Sequence, residues 1–249
     1  MKVLKYILFA GLFALGLASC ENTKREKTQD EIEQAWPSTI TTMEAGDFVL
    51  VKRDTLGFTM GTKTVKLNKS FYMCTKEVTQ AQWEAIMNNN PSDNEFIKEG
   101  ANKANCPVNN ITHAQATEFI KALNQATGRK FALPSEAQWE WAAIGGKLSN
   151  GYAFSGSDNS AEVAWSAIDY DATLNEVGQL KPNELGIYDM SGNIEEWTST
   201  SKVTRGGHYE TSSAEQLNVR YSNRNSFNSS YAIGLRLIIE EPLDIELIK

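Results

Sequence analysis

Leu133-Pro134-Ser135-Glu136-Ala137-Gln138-Trp139-Glu140 and, further along the chain, Gly186-Ile187-Tyr188-Asp189-Met190-Ser191-Gly192-Asn193-Ile194-Glu195-Glu196-Trp197 are the stretches whose reading decides the fold. The first is a helix start. A Ser side chain and a Gln three residues on can satisfy each other's orphan backbone amides, and Trp139 and Ala142 then point inward. The same box recurs at Thr79-x-x-Gln82 and Thr112-x-x-Gln115. The middle helix is the clearest, with Ala116, Phe119, Ile120 and Leu123 on one face and Gly128 able to end it. The first helix offers Trp83, Ile86 and Met87 before Asn88-Asn89-Asn90-Pro91 stops it. The second quoted stretch is loop material. From Gly145 onward Gly, Ser, Asn and Asp dominate, which is poor stock for long regular elements. Metal ions or disulfides are expected to hold such loops.

Outward from this centre the chain has 249 residues, 41% hydrophobic and 22% charged. That suffices for one sizeable core, and no second linker or internal repeat is visible. Residues 1–19 read as a secretory signal: Lys2 and Lys5, then an apolar run from Tyr6 to Leu17, too short to span a bilayer comfortably. The run ends in Leu17-Ala18-Ser19-Cys20, which resembles a lipobox, so Cys20 is the expected site of lipidation. Acyl chains there anchor a soluble domain, at about 0.8 kcal/mol per buried methylene. Residues 20–41 read as a lipid-anchored polar tether, alternatively with a helix starting near Asp30, and leave Trp36 free to be exposed. The domain proper is placed at 42–240, with 241–249 a tail. The expected place is the bacterial cell envelope, at the outer membrane, on either face.

The formal net charge is -7. Without residues 1–19 the 24 basic side chains fall to 22 against 31 acids, a net of -9. Nucleic acid is a poor partner for such a domain. With only His113 and His208, no multi-histidine metal site is possible.

Further motifs complete the series: Phe58-Thr59-Met60-Gly61, Glu77-Val78-Thr79, Pro107-Val108-Asn109-Asn110-Ile111, Arg205-Gly206-Gly207 and Gly234-Leu235-Arg236. Together they resemble the formylglycine-generating enzyme (sulfatase-modifying factor) family over roughly residues 42–240. The resemblance implies an α+β, C-type-lectin-like fold with little regular secondary structure. It also implies an oxidase that uses copper, held by two cysteines, to convert a sulfatase cysteine to formylglycine; soft thiolates suit Cu(I). The family pattern is G-G-S-x-x-C-x4-C-x3-R-x3-R. Here Gly206, Gly207, Arg220 and Arg224 keep the frame without a gap. The serine is His208, and the two cysteines are Thr211 and Gln216. Copper is therefore not expected, and the domain reads as a non-catalytic binding or scaffold module for an envelope protein or glycan. The alternative is a formylglycine-generating oxidoreductase. A sulfoxide synthase is disfavoured because the extra helical domain that supplies its iron ligands is absent.

The resemblance further implies a structural calcium in the second quoted stretch. Its ligands would be the Asp189 and Glu196 carboxylates with the Gly192 and Ile194 carbonyls, a hard oxygen set on one loop. The alternative is a turn whose acids are solvated or bound to backbone amides. Asp169 and Asp171 match no second calcium loop. Cys74 and Cys106 are expected to form a disulfide in an oxidising envelope, the alternative being two separate buried thiols. His113 reads as packing or surface, and Arg220, Arg224 and Arg236 as residues that tie loops together.

Overall fold

The computed structural model describes residues 28–34, 36–224 and 230–240. The signal segment, Cys20 and the 241–249 tail lie outside the described residues. The chain divides into two units, Met1–Ala35 and Trp36–Lys249. Among its described residues the first holds a short helix, α1 (Gln29–Glu33), with the Glu31 amide donating to the Thr28 hydroxyl at its start.

The second unit runs β1 (Thr39–Thr42), β2 (Gly46–Val51), β3 (Asp54–Met60), β4 (Lys63–Leu67), β5 (Phe71–Cys74), α2 (Gln80–Met87), α3 (His113–Thr127), β6 (Phe131–Ala132) and α4 (Glu136–Ala143). Among its described residues the remainder holds short pieces: α5 (Ser160–Val163), β7 (Glu195–Trp197), β8 (Thr204–Arg205), α6 (Ala214–Leu217), β9 (Ser222–Asn223), β10 (Ile233–Leu235) and β11 (Ile238–Ile239). The α+β class with little regular structure in the second half is as the sequence indicates.

All three capping boxes form, at Thr79/Gln82, Thr112/Gln115 and Ser135/Gln138. The α3 helix buries Ala116, Phe119, Ile120 and Leu123 and ends on Gly128 in the left-handed region, φ 70°. The main sheet has the order β1-β2-β5-β11-β6, with every pairing antiparallel. Strand alternation puts β5 to use on both faces. Tyr72 and Cys74 join the cluster of Trp83, Phe119 and Leu123 under α2 and α3, where Trp83 stacks on Phe119 at 4.9 Å. Phe71 and Met73 join Trp139 and Ala142 of α4 on the other face. The sheet is thus covered by helices on both sides. A second sheet, β10-β7-β8-β9, carries the Glu195–Trp197 stretch, with β10 and β7 parallel.

Two expectations need correction. The fold begins before residue 42: Trp36 is half-buried, stacks on Tyr72 at 5.7 Å, and is followed by β1. A large indole beside an aromatic strand residue gains more by packing than by staying in water. The irregular half, expected to be held by metal ions or disulfides, contains no cysteine. Buried Asn and Ser side chains hold it by standing in for regular backbone pairing. Asn183 donates to the Ala142 carbonyl at 2.9 Å and to the Ser155 hydroxyl at 3.1 Å, and accepts from the Leu185 and Ile187 amides. Asn193 accepts from the Asn175 amide and donates to Glu77.

Candidate functional site

The Gly186–Trp197 loop is bent by backbone demands before any ligand enters. Asp189 and Asn193 have φ 59° and 57°, and Gly192 has φ 81°. A Cβ on Gly192 would lie 2.3 Å from the Trp165 carbonyl oxygen, so only glycine fits there. Amides of the loop donate to the Gly206 and Trp165 carbonyls, and the chain then enters β7.

On β7, Glu196 faces the core. Its Oε1 accepts from Arg236 Nη2 at 2.7 Å and Nε at 3.0 Å, and its Oε2 accepts from Trp139 Nε1 at 2.6 Å. Arg236 also donates to the carbonyls of Tyr188 at 2.8 Å and Cys74 at 3.1 Å. Its Nη2 lies 3.9 Å from Glu77 Oε2. The guanidinium therefore joins β5, β7 and the loop at one buried point. Asp189 turns elsewhere: Oδ2 accepts from the Gly178 amide. Glu77 takes a hydrogen bond from Asn193 at 3.1 Å. Burial, and then the charge of Asp189, holds the Glu77 carboxyl well above its usual range, and burial likewise raises Asp189.

This arrangement does not fit the calcium expected at Asp189, Gly192, Ile194 and Glu196. Calcium takes six to eight oxygens, roughly, in an open cage. Of the two carboxylates, Asp189 keeps one oxygen without a partner among the described residues, and Glu196 keeps none. Both Glu196 oxygens face N–H groups, and Arg236 already supplies the positive charge. Ile194 is packed with Cys106, Leu174 and Tyr209. Among the described residues no group of three or more His, Cys, Asp or Glu is placed to hold a metal. Sequence reading missed Glu77 and the depth of Arg236. The available signal was an acid set between the apolar β5 run and a capping box.

The Gly206–Arg224 stretch contains no thiol. The His208 amide donates to the buried Thr211 hydroxyl at 2.9 Å, and His208 Nδ1 accepts from the Glu210 amide at 3.3 Å. Burial lowers the His208 pKa. Gln216 lies on α6 and is exposed.

The expected Cys74–Cys106 disulfide is not formed; both cysteines are buried free thiols. They sit in different apolar clusters, and each donates to a carbonyl of its own surroundings, Cys74 to Ala45 at 3.3 Å and Cys106 to Asn102 at 3.6 Å. Burial pushes the Cys74 thiol up to about 11 and the Cys106 thiol up to about 12. His113 is a packing residue, hydrogen-bonded to the Thr198 carbonyl at 3.0 Å and edge-on to Trp197. Asp169 and Asp171 are bound to Ser160 and Thr173 and do not converge.

The family described as sulfatase-modifying factor enzyme 1-like domain matches residues 24–241. This chain belongs to that family. Among curated relatives of the domain, it is 28% identical over 270 aligned positions to "Chaperone protein LppX" of Paenibacillus barcinonensis, covering 84% of this chain and 89% of that protein. It is 30% identical over 113 positions to the formylglycine-generating enzyme of Mycobacterium tuberculosis, covering 40% of this chain and 35% of the enzyme. Treponema denticola variable protein 1 has the same fold, with a TM-score of 0.70 at 23% identity over 82% of this chain and all of that one.

The sulfatase-modifying factor frame of Gly206, Gly207, Arg220 and Arg224 stands, while Thr211 and Gln216 offer a hydroxyl and a carboxamide where two thiolates would bind copper. No helix among the described residues is long and apolar enough to cross a membrane.

Proposed function

We propose that this sulfatase-modifying factor-like domain is a non-catalytic binding module, tethered through Cys20 to the bacterial cell envelope, where it holds a protein or glycan partner. The observation that carries the reading is the pair Thr211 and Gln216 in an otherwise unbroken motif frame. Thr211 is buried with its hydroxyl accepting from a backbone amide, and Gln216 points to solvent. The remaining thiols, Cys74 and Cys106, are buried in two separate clusters with raised pKa values, which is the opposite of a reactive, metal-binding pair. The name of the Paenibacillus relative, a chaperone matching over most of both chains, supports a role in binding another protein.

The alternative is formylglycine generation, favoured by the partial match to the mycobacterial enzyme. Copper-loaded protein incubated in air with a Cys-x-Pro-x-Arg peptide decides between the two. The binding reading expects no aldehyde by hydrazide labelling and mass spectrometry. Aldehyde above the copper-only background would replace it with the enzymatic one. Crosslinking in the native envelope then identifies the partner.

A further inference from the structure

The turn of the β3–β4 hairpin, the start of α4, the end of β8 and the β9 segment enclose a cleft of about 350 Å³. Its walls carry four basic side chains, Lys63, Arg205, Arg220 and Arg224, against two acidic ones, Glu136 and Glu140. On a chain of net charge -7 this is a local excess of positive charge. Both acids are already engaged. Glu140 is fully buried and binds Arg205 through Oε2 and Arg220 through Oε1, the latter at 3.3 Å. Glu136 accepts from the Ser222 hydroxyl at 2.9 Å.

The cations are not all engaged in return. Arg205 is 1% exposed and packs over the Trp139 ring at 5.2 Å. Its Nη2 is shared between Glu140 and the Val219 carbonyl, but its buried Nε has no acceptor. A buried unpaired donor is costly, and one on a guanidinium more so. Lys63 and Arg224 are exposed, and among the described residues neither has a carboxylate partner. Guanidinium forks match the paired oxygens of phosphate, sulfate and carboxylate groups. The cleft is much larger than a bare ion, leaving space for the body of a small molecule.

We propose that this cleft is a binding site for a small ligand carrying an oxyanion, received by Arg205, Arg220, Arg224 and Lys63. In it the Glu140 carboxylate holds Arg205 and Arg220 in place, and Arg224 and Lys63 close on the ligand from the rim. The site shares Arg220 and Arg224 with the Gly206–Arg224 frame but uses neither Thr211 nor Gln216, and it stands whether or not the domain is catalytic.

The test is calorimetric titration of the full chain, in detergent, with inorganic phosphate, sulfate and acetate in turn at ionic strength fixed with chloride. At least one should bind saturably, and which one does separates phosphate and sulfate esters from carboxylates. The surface double variant Lys63→Gln/Arg224→Gln should weaken that binding fivefold or more, with an unchanged melting profile. Lys181→Gln, an exposed lysine paired with Glu162 outside the cleft, should leave it unaltered. The proposal is overturned by an absence of saturable binding with all three anions, by a smaller loss in the double variant, or by an equal loss in Lys181→Gln.

Discussion

Glu196 and Arg236, 40 residues apart in the chain, meet in a buried pair whose guanidinium donates through both Nη2 and Nε to one carboxylate. Neither is more than 1% exposed. The pair gains its value from completeness: Trp139, Tyr188 and Cys74 take up the remaining hydrogen bonds. Removing one partner of such a pair strands a charge in the interior and costs about 3–5 kcal/mol. Glu196→Gln is therefore expected to lower unfolding free energy by that order, read as a shift in urea midpoint at unchanged slope. A loss below about 1 kcal/mol would mean that the pair is dispensable.

The same geometry sets an expectation for calcium. A ligand that binds only the folded state raises its melting temperature with concentration. Because Arg236 occupies Glu196, the wild-type melting temperature should be the same in excess chelator and in millimolar calcium. A reproducible rise with calcium that Asp189→Ala abolishes would restore the calcium site in the Gly186–Trp197 loop.

What the sequence made legible was local. Capping boxes at Thr79, Thr112 and Ser135 involve residues three apart, and the α3 face repeats at helical spacing, so each can be read without knowing the fold. The family frame around Gly206 was legible for a similar reason, since its spacing is contiguous. Long-range partners were not. Nothing near Glu140 in sequence points to Arg205, 65 residues on, and nothing near Trp36 points to Tyr72. The disulfide expectation failed on direction: Cys74 follows β5 alternation into the cluster with Trp83, while Cys106 packs with Leu174 and Ile194. Counting cysteines supplies number and compartment but no side-chain vector.

The two thiols supply a third prediction. Protein isolated from its native cells should carry Cys74 and Cys106 reduced. Both should resist alkylation while folded at neutral pH, because burial raises their pKa values to about 11 and about 12 and hides the sulfur atoms. Both should react fully in denaturant. A linked Cys74–Cys106 peptide in a non-reducing digest would overturn this.

Anchoring supplies a fourth. Under the proposed anchoring, Cys20→Ser moves the protein from the membrane fraction to the soluble fraction, because residues 21–35 carry few apolar side chains to replace the acyl chains. Retention of the variant in membranes after a high-salt wash would show that something other than Cys20 holds it there.

The fifth prediction separates two arginines that touch the same carboxylate. Arg205 and Arg220 both bind Glu140, yet the first side chain is 1% exposed and the second 51%. Screening by water leaves an exposed partner worth about 0–1 kcal/mol, whereas loss of a buried one costs about 3–5 kcal/mol. Arg205 also fills space over Trp139 and donates to the Val219 carbonyl, so its removal opens a cavity and orphans an acceptor. Burial already raises the Glu140 pKa, and its two arginines are what oppose that rise. With Arg205 gone, Glu140 is left with Arg220 alone, at 3.3 Å. Arg205→Ala should thus cost several kcal/mol, and Arg220→Ala about 1 kcal/mol or less, in denaturant melts of equal slope. The Arg205→Ala loss should shrink below the Glu140 pKa as the carboxyl is neutralised, since the stranded charge then disappears. Equal losses for the two variants, or a loss for Arg205→Ala that does not change between neutral and acidic pH, would show that the buried charge pair is not what holds this part of the domain.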